Sequence, residues 1–421
     1  MSSGQGSRPV EGSVLFTNGD TRYEFIQDLG TGRHGELLLV VRPRTPAGAQ
    51  AQVLLKCLAL PALASSSEKY QRTRARLEEE VRLARYLRHP GIARVHGLFE
   101  MGHGLCVAVE SVEGLSLNTL LAIAQTRGRY FSDAFVLYVA AQVAEALAYA
   151  HARTDEAGIP LGIVNRDINP DRIRLEPGGG VKLTDFGVAF SRLAGRLNTT
   201  LPRPQGEVMY AAPEALLGAV VDARADLFSL GLTLLEFSTG RHLYDPADLR
   251  IEELEARLSK EEREQVLAAS VASMVTELPP SAEDAIWCAM SYRSEDVERA
   301  AAGLSVPLRD ILHTLLRRNP AERFATAAEL EAVLRTALAR FGAYGGEEAV
   351  REVQLALVES GERLAELELP GGEGGISLPL GINLGGPDAI PTRDATPEPR
   401  PDVARFVKRN PDEVTTQPSS E

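Results

Sequence analysis

At 421 residues and 44% hydrophobic content, the chain is long enough to bury a substantial core in two or three compact units. Acidic side chains outnumber basic ones by 58 to 45, a formal charge of -13, which argues against nucleic acid or an anionic membrane as the main partner, since either favours a basic surface. Cys57, Cys106 and Cys288 are odd in number and follow neither zinc nor disulfide-framework spacing, so a cytoplasmic, reducing setting is expected and Cys57 reads as a small core residue.

Residues 1–21 lack the basic start and apolar stretch of a secretory signal and are expected to be a flexible N-terminus. From 22 to 110, short β-rich runs alternate with turns: Tyr23–Leu29, Leu37–Val41, Val53–Leu58, Val95–Glu100 and Leu105–Val109. One helix interrupts them, roughly Ser67–Leu87, whose Leu77, Val81, Ala84 and Leu87 make an apolar stripe. From 111 to 342 the pattern is helical, with segments at 132–152, 225–239, 308–318 and 326–341 and a charged helix over Ile251–Val266. The run from 241 to 308 is read either as an elaboration of this helical part or as a partner-binding insertion. The apolar run Phe135–Ala152 contains Gln142 and Glu145 and follows a capping Ser132, so it predicts a buried globular helix rather than a membrane span. The fold class is α+β, two-lobed: a small β-rich N-lobe (22–110) with one main helix, a larger helical C-lobe (111–342), and a ligand cleft where they meet.

A last amphipathic helix over 343–369 sets Val350, Val353, Leu357, Leu364 and Leu367 on one face, for packing on the helical lobe or for dimerisation. Residues 370–421 shift to proline, glycine and polar residues and predict a disordered tail. Within it, Val403–Arg409 is a basic-apolar segment and Thr396 precedes a proline; docking motif, modification site and plain linker are all open.

The chemistry begins at Gly30-Thr31-Gly32-Arg33-His34-Gly35, where glycines let backbone amides approach phosphate oxygens. A dinucleotide-binding turn needs a helix next, but Leu37-Leu38-Leu39-Val40-Val41 reads as a second strand, so the turn is a hairpin lid. Lys56 lies on the strand that follows, and Glu80 is the candidate acid to steady its ammonium; a solvated face of Glu78, Glu79 and Glu80 is the plainer alternative. Further along stand Asn165-Arg166-Asp167, Asp185-Phe186-Gly187, Ala212-Pro213-Glu214, Asp226 through Gly231, and Arg323.

Taken in that order, these motifs resemble the eukaryotic-type serine/threonine protein kinases of bacteria over residues 22–342. The stretch Gly158–Val164 is similar to a subgroup common in myxobacteria. The resemblance implies ATP with Mg2+ or Mn2+ as cofactors and a protein substrate or signalling partner. It implies that Asp167 is the catalytic base, that Lys56 holds the α- and β-phosphates with Glu80 behind it, and that Asp185 is the metal ligand. Gly30, Gly32 and Gly35 then cover the phosphates. Leu37, Leu54, Val109, Glu110 and Val112 surround the base, with Glu110 and Val112 offering backbone hydrogen bonds. Glu214 and Arg323 form a buried structural ion pair, and Asp226 is a further structural residue.

Five positions depart from the family pattern. Arg172 stands where the family places an asparagine that ligates a second metal; a guanidinium has donors only, so that ion is lost or displaced and Arg172 is free to contact phosphates. Asn165 replaces the usual histidine or tyrosine and is expected to weaken packing against Phe186. Asn169 removes a cation near the γ-phosphate. Glu207 brings a carboxylate near Asp167, to repel it or to pair with Arg172. Leu54, larger than the usual alanine or valine, narrows the pocket. Two readings follow: a protein kinase, with activity weakened by these changes, or a pseudokinase that signals as a scaffold. A small-molecule phosphotransferase is a third. Thr199 and Thr200 are candidate phosphorylation sites, with Arg166 as the pairing cation.

Overall fold

The computed structural model describes residues 10–32, 35–59, 68–101, 104–193, 205–245, 251–276 and 278–367. They divide into two compact units, one running to Val81 and including Val95–Ser111, the other comprising Arg82–Arg94 and the chain from Val112. The α+β expectation holds: the first unit is a sheet with a helix, the second is mainly helical.

The sheet unit contains β1 (Val14–Asn18), β2 (Thr21–Thr31), β3 (Leu37–Thr45), β4 (Gly48–Ala49), β5 (Val53–Ala59), β6 (Val95–Met101) and β7 (Gly104–Glu110), with α1 (Glu68–Ala84) between β5 and β6. The antiparallel order is β1-β2-β3-β5-β7-β6, and β4 pairs with β3. Alternation along the strands builds two cores. Leu37, Leu39, Val41, Val53, Leu55 and Cys57 bury one face together. On the other, Leu58, Val107 and Val109 meet Tyr70 and Leu77 of α1, with Leu54 packed against them.

Two expectations are corrected in this unit. The N-terminus is not flexible throughout: β1 lies within it, paired to β2, with Leu15 buried and Phe16 stacked on Tyr23 at 4.3 Å between ring centres. The Val14-Leu15-Phe16 run supplies the apolar side chains, and the turn at Gly19-Asp20 folds it back. Cys57 is a core residue as expected, but it is also bonded: register sets it opposite Cys106 on β7, Cα atoms 4.2 Å apart, and a disulfide joins them. Separation along the chain hid a pairing that the sheet creates.

The helical unit opens with β8 (Leu115–Ser116), α2 (Leu117–Arg127) and α3 (Asp133–His151), followed by β9 (Ile173–Leu175) and β10 (Val181–Leu183). The helices α4 (Pro213–Leu216), α5 (Ala223–Thr239), α6 (Ile251–Ala256), α7 (Lys260–Val275), α8 (Ser281–Ser291), α9 (Ser294–Ala300), α10 (Val306–Leu315), α11 (Ala327–Leu338) and α12 (Gly346–Leu367) complete it. Side chains cap α2 and α3, Ser116 accepting from the Thr119 amide and Ser132 from that of Phe135. Among the described residues α3 alone is long and apolar enough to cross a bilayer, yet Phe135, Leu137, Val139, Val143 and Leu147 are buried within the unit, as a core helix requires.

The charged helix expected over Ile251–Val266 is broken into α6 and α7. Ser259 and Glu262 form a reciprocal capping box there, which starts a new helix instead of continuing the old one. The final helix, α12, packs on the same unit: Ala349, Val353 and Ala356 join its core, Glu352 accepts from the Ser132 amide at 2.7 Å, and Glu359 pairs with Arg127 and Arg129. Residues 370–421, including Thr396 and Val403–Arg409, lie outside the described residues.

Candidate functional site

In the sheet unit, the glycine turn is closed by the Gly32 amide donating to the Glu36 carbonyl at 2.7 Å and the Gly35 amide to the Gly32 carbonyl at 3.0 Å. Gly30 and Gly35 have φ of 87° and 86°, a region that disfavours a side chain. At Gly32 the constraint is contact: a Cβ would come within 2.8 Å of the Glu36 side chain. Glu36, which motif reading passed over, is buried and accepts from Arg76 Nη2 at 2.8 Å, tying the turn to α1. Arg33 and His34 lie outside the described residues.

Lys56 Nζ reaches Glu80 Oε1 at 2.7 Å, with side chains 6% and 2% exposed. The pair forms because β5 and α1 are packed face to face, and it settles the choice at Glu80 in favour of the ammonium over a solvated face. Register pairs Leu38 with Lys56 and Val40 with Leu54, so Leu38 shares the face of Lys56, whereas Leu37 lies opposite Cys57 in the other core. Leu54 and Val109 are cross-strand neighbours beside α1. Glu110 ends β7, and Val112 is buried shortly beyond it.

In the helical unit, the segment Asn165–Asp185 is organised around backbone strain. Arg166 and Asp185 both have φ of 67°, unusual for residues with side chains. Asp226, fully buried on α5, holds the first of these bends: its carboxylate accepts the amides of Asn165 at 2.7 Å and Arg166 at 2.8 Å, and His151 Nε2 lies 2.8 Å from Oδ2. Asn165 links the two bends, its side chain donating to the Asp185 carbonyl at 3.1 Å and accepting from the Asp167 amide at 3.0 Å. The Asn165 amide thus finds partners on both sides, and Phe186 is 5% exposed.

Asp167 is 4% exposed and held from several directions. Its Oδ1 accepts from Asn169 Nδ2 at 3.0 Å and from the Glu207 amide at 2.9 Å. Asn169 is therefore a positioning residue rather than merely a missing cation. Gly206 makes the second contact feasible: with φ of 77°, it lies so close that a Cβ would come within 2.3 Å of the Arg166 carbonyl and 2.7 Å of Asp167 Oδ1. Gly206 and His151 support this segment at positions that motif spacing missed; the only signal for Gly206 was a glycine beside Glu207.

Arg172 does not pair with Glu207. Its Nε donates to Asp167 Oδ2 at 2.8 Å and its Nη1 lies 3.3 Å from Asp185 Oδ2, so one guanidinium spans both carboxylates. Burial opposes its charge, but the neighbouring carboxylates outweigh this and push its pKa up, so it remains cationic. Asp185 Oδ1 also accepts from the Gly187 amide at 2.8 Å.

Away from the chemistry, Arg323 and Glu214 form a two-pronged pair at 2.7 and 2.8 Å. Arg323 also donates to the carbonyls of Arg317, Arg318 and Arg224, filling its five donors, and its guanidinium lies 4.6 Å from the Phe228 ring centre. Arg166 Nε donates to the Val188 carbonyl at 2.8 Å. Thr199 and Thr200 lie outside the described residues.

The donors present suit one hard divalent cation. Asp185 offers carboxylate oxygen, and magnesium commonly takes one or two carboxylates and completes its shell with phosphate oxygens and water. Among the described residues no group of three or more His, Cys, Asp or Glu side chains forms a resident metal site. Position 172 offers no lone pair, so the set does not fit a second ion.

This arrangement agrees with the chain's relatives. The protein kinase domain family matches residues 23–334. The tyrosine-protein kinase MasK of Myxococcus xanthus is 35% identical over 219 residues, 52% of this chain and 32% of its own. The serine/threonine-protein kinase PknJ of Mycobacterium tuberculosis is 30% identical over 328 residues, 77% of this chain and 46% of its own. For the serine/threonine-protein kinase PknF of the same species the figures are 33% over 224 residues, 52% and 43%. The chain spans less than half the length of these relatives. With an ordered glycine turn, a buried Lys-Glu pair and two carboxylates fixed at strained bends, the chain belongs to the protein kinase domain family.

Proposed function

We propose that the chain is an ATP-dependent protein kinase that moves the γ-phosphoryl group onto a serine or threonine hydroxyl. The observation that carries this reading is the state of Asp167. Two donors fill Oδ1 and Arg172 takes one site on Oδ2, which leaves one lone-pair site on Oδ2 for the hydrogen of an incoming hydroxyl. The hydroxyl oxygen attacks the γ-phosphorus, the bond to the β,γ-bridging oxygen breaks, ADP leaves with that electron pair, and Asp167 accepts the hydroxyl proton. Lys56 neutralises the α- and β-phosphates, and the turn carrying Gly30, Gly32 and Gly35 covers them. A magnesium or manganese ion, when bound, would be held by Asp185 and would offset triphosphate charge.

MasK is named as a tyrosine kinase, PknJ and PknF as serine/threonine kinases, and the latter support the acceptor proposed. Phosphoamino-acid analysis after incubation with γ-labelled ATP and a basic protein substrate tests it. Label on serine or threonine, absent with Asp167→Ala, is expected; label that persists equally in that variant overturns the reading. The hold of Arg172 on both carboxylates favours a second reading, a nucleotide-binding pseudokinase scaffold, for which nucleotide binds and no label transfers.

A further inference from the structure

We infer that Arg172 is a built-in counter-cation that takes the place of one divalent ion, so that the chain handles its triphosphate with a single metal ion. The inference rests on the kinase reading and adds the number of ions it uses. A second ion shared by Asp185 and position 172 would need a lone pair at both, and position 172 supplies only donors, one of which lies 3.3 Å from Asp185 Oδ2. A guanidinium does not lose its proton in a protein, so the charge is permanent and adds repulsion against a second ion.

Arg172 is also fixed in place. Its amide donates to the Asn169 carbonyl at 3.1 Å, and its own carbonyl accepts from the Thr184 amide at 2.8 Å and the Thr184 hydroxyl at 3.2 Å. The backbone of Arg172 is thus stitched to Asn169, which holds Asp167, and to Thr184, which precedes Asp185. With both ends of the span anchored, the guanidinium keeps its place between the carboxylates instead of swinging to solvent. Its side chain remains 27% exposed, and Nη2 has no protein partner among the described residues. That nitrogen is left to donate to a phosphate oxygen, a contact a metal ion would otherwise make.

The test is ion stoichiometry, read without turnover. Free Mn2+ is followed by electron paramagnetic resonance while the chain, saturated with a non-hydrolysable ATP analogue, is titrated. One Mn2+ per chain is expected for the wild type and for Arg172→Lys, which keeps the charge, and two for Arg172→Asn, which replaces it with an oxygen ligand. Two ions in the wild type or in Arg172→Lys, or only one in Arg172→Asn, overturn the inference. The wild-type count alone decides if a variant fails to fold. A wild type that binds no analogue defeats the kinase reading itself, whereas one that binds the analogue with two ions leaves that reading intact and removes only this inference.

Discussion

In the sheet unit Lys56 and Glu80 are paired at 2.7 Å and almost wholly buried. In the helical unit one cation is divided between two anions, and Arg172 and Asp185 keep part of their surface in solvent. The first sets an ammonium against a carboxylate; the second spreads one guanidinium over two carboxylates. Desolvation explains the contrast. A deeply buried charge is tolerated only when matched, whereas an unbalanced cluster needs access to water or to an incoming cation.

The comparison can be sharpened by perturbing each unit alone, beginning with the largest effect. Arg323→Ala leaves Glu214 without its counter-charge and opens three backbone carbonyls, so unfolding of the helical unit should become easier by about 3 to 5 kcal/mol. Site-resolved hydrogen exchange should show that loss in α4, α5 and α10, with the sheet unit little changed. Uniform loss across both units would break the distinction. Opening the Cys57–Cys106 bridge, which closes 49 residues, should act the other way and lower sheet-unit stability by about 2 to 4 kcal/mol. Denaturant titration with and without reductant, followed by exchange in β5 and β7, checks it. Gly206→Ala is the mildest in stability, about 1 to 3 kcal/mol from its backbone conformation, but it pushes the Glu207 amide from Asp167. Turnover should fall while nucleotide affinity holds; equal loss of both would show that Gly206 serves the fold alone.

What could be read from the chain beforehand followed the range of the interactions. The order of Lys56, Asp167, Asp185 and Glu214 was legible because motif residues carry their roles in local spacing. The break between α6 and α7 was also written locally, in Ser259 and Glu262, but the charged helical pattern around it concealed the cap. The partners of Arg172 were not legible, since a long side chain can reach several carboxylates and only the anchored backbone selects two of them. Glu36, Gly206 and the Cys57–Cys106 pair depend on strand register or close approach, which no spacing in the chain specifies.

The central proposal is that Lys56 and Asp185 each contribute to the binding of ATP with a divalent cation. Calorimetric titration with ATP, with magnesium and with EDTA, tests it on the wild type, Lys56→Met and Asp185→Asn. The account predicts magnesium-dependent binding that weakens at least about tenfold, or 1.4 kcal/mol, in each variant. Binding that is unchanged in both variants, or no binding with any divalent ion, would contradict it.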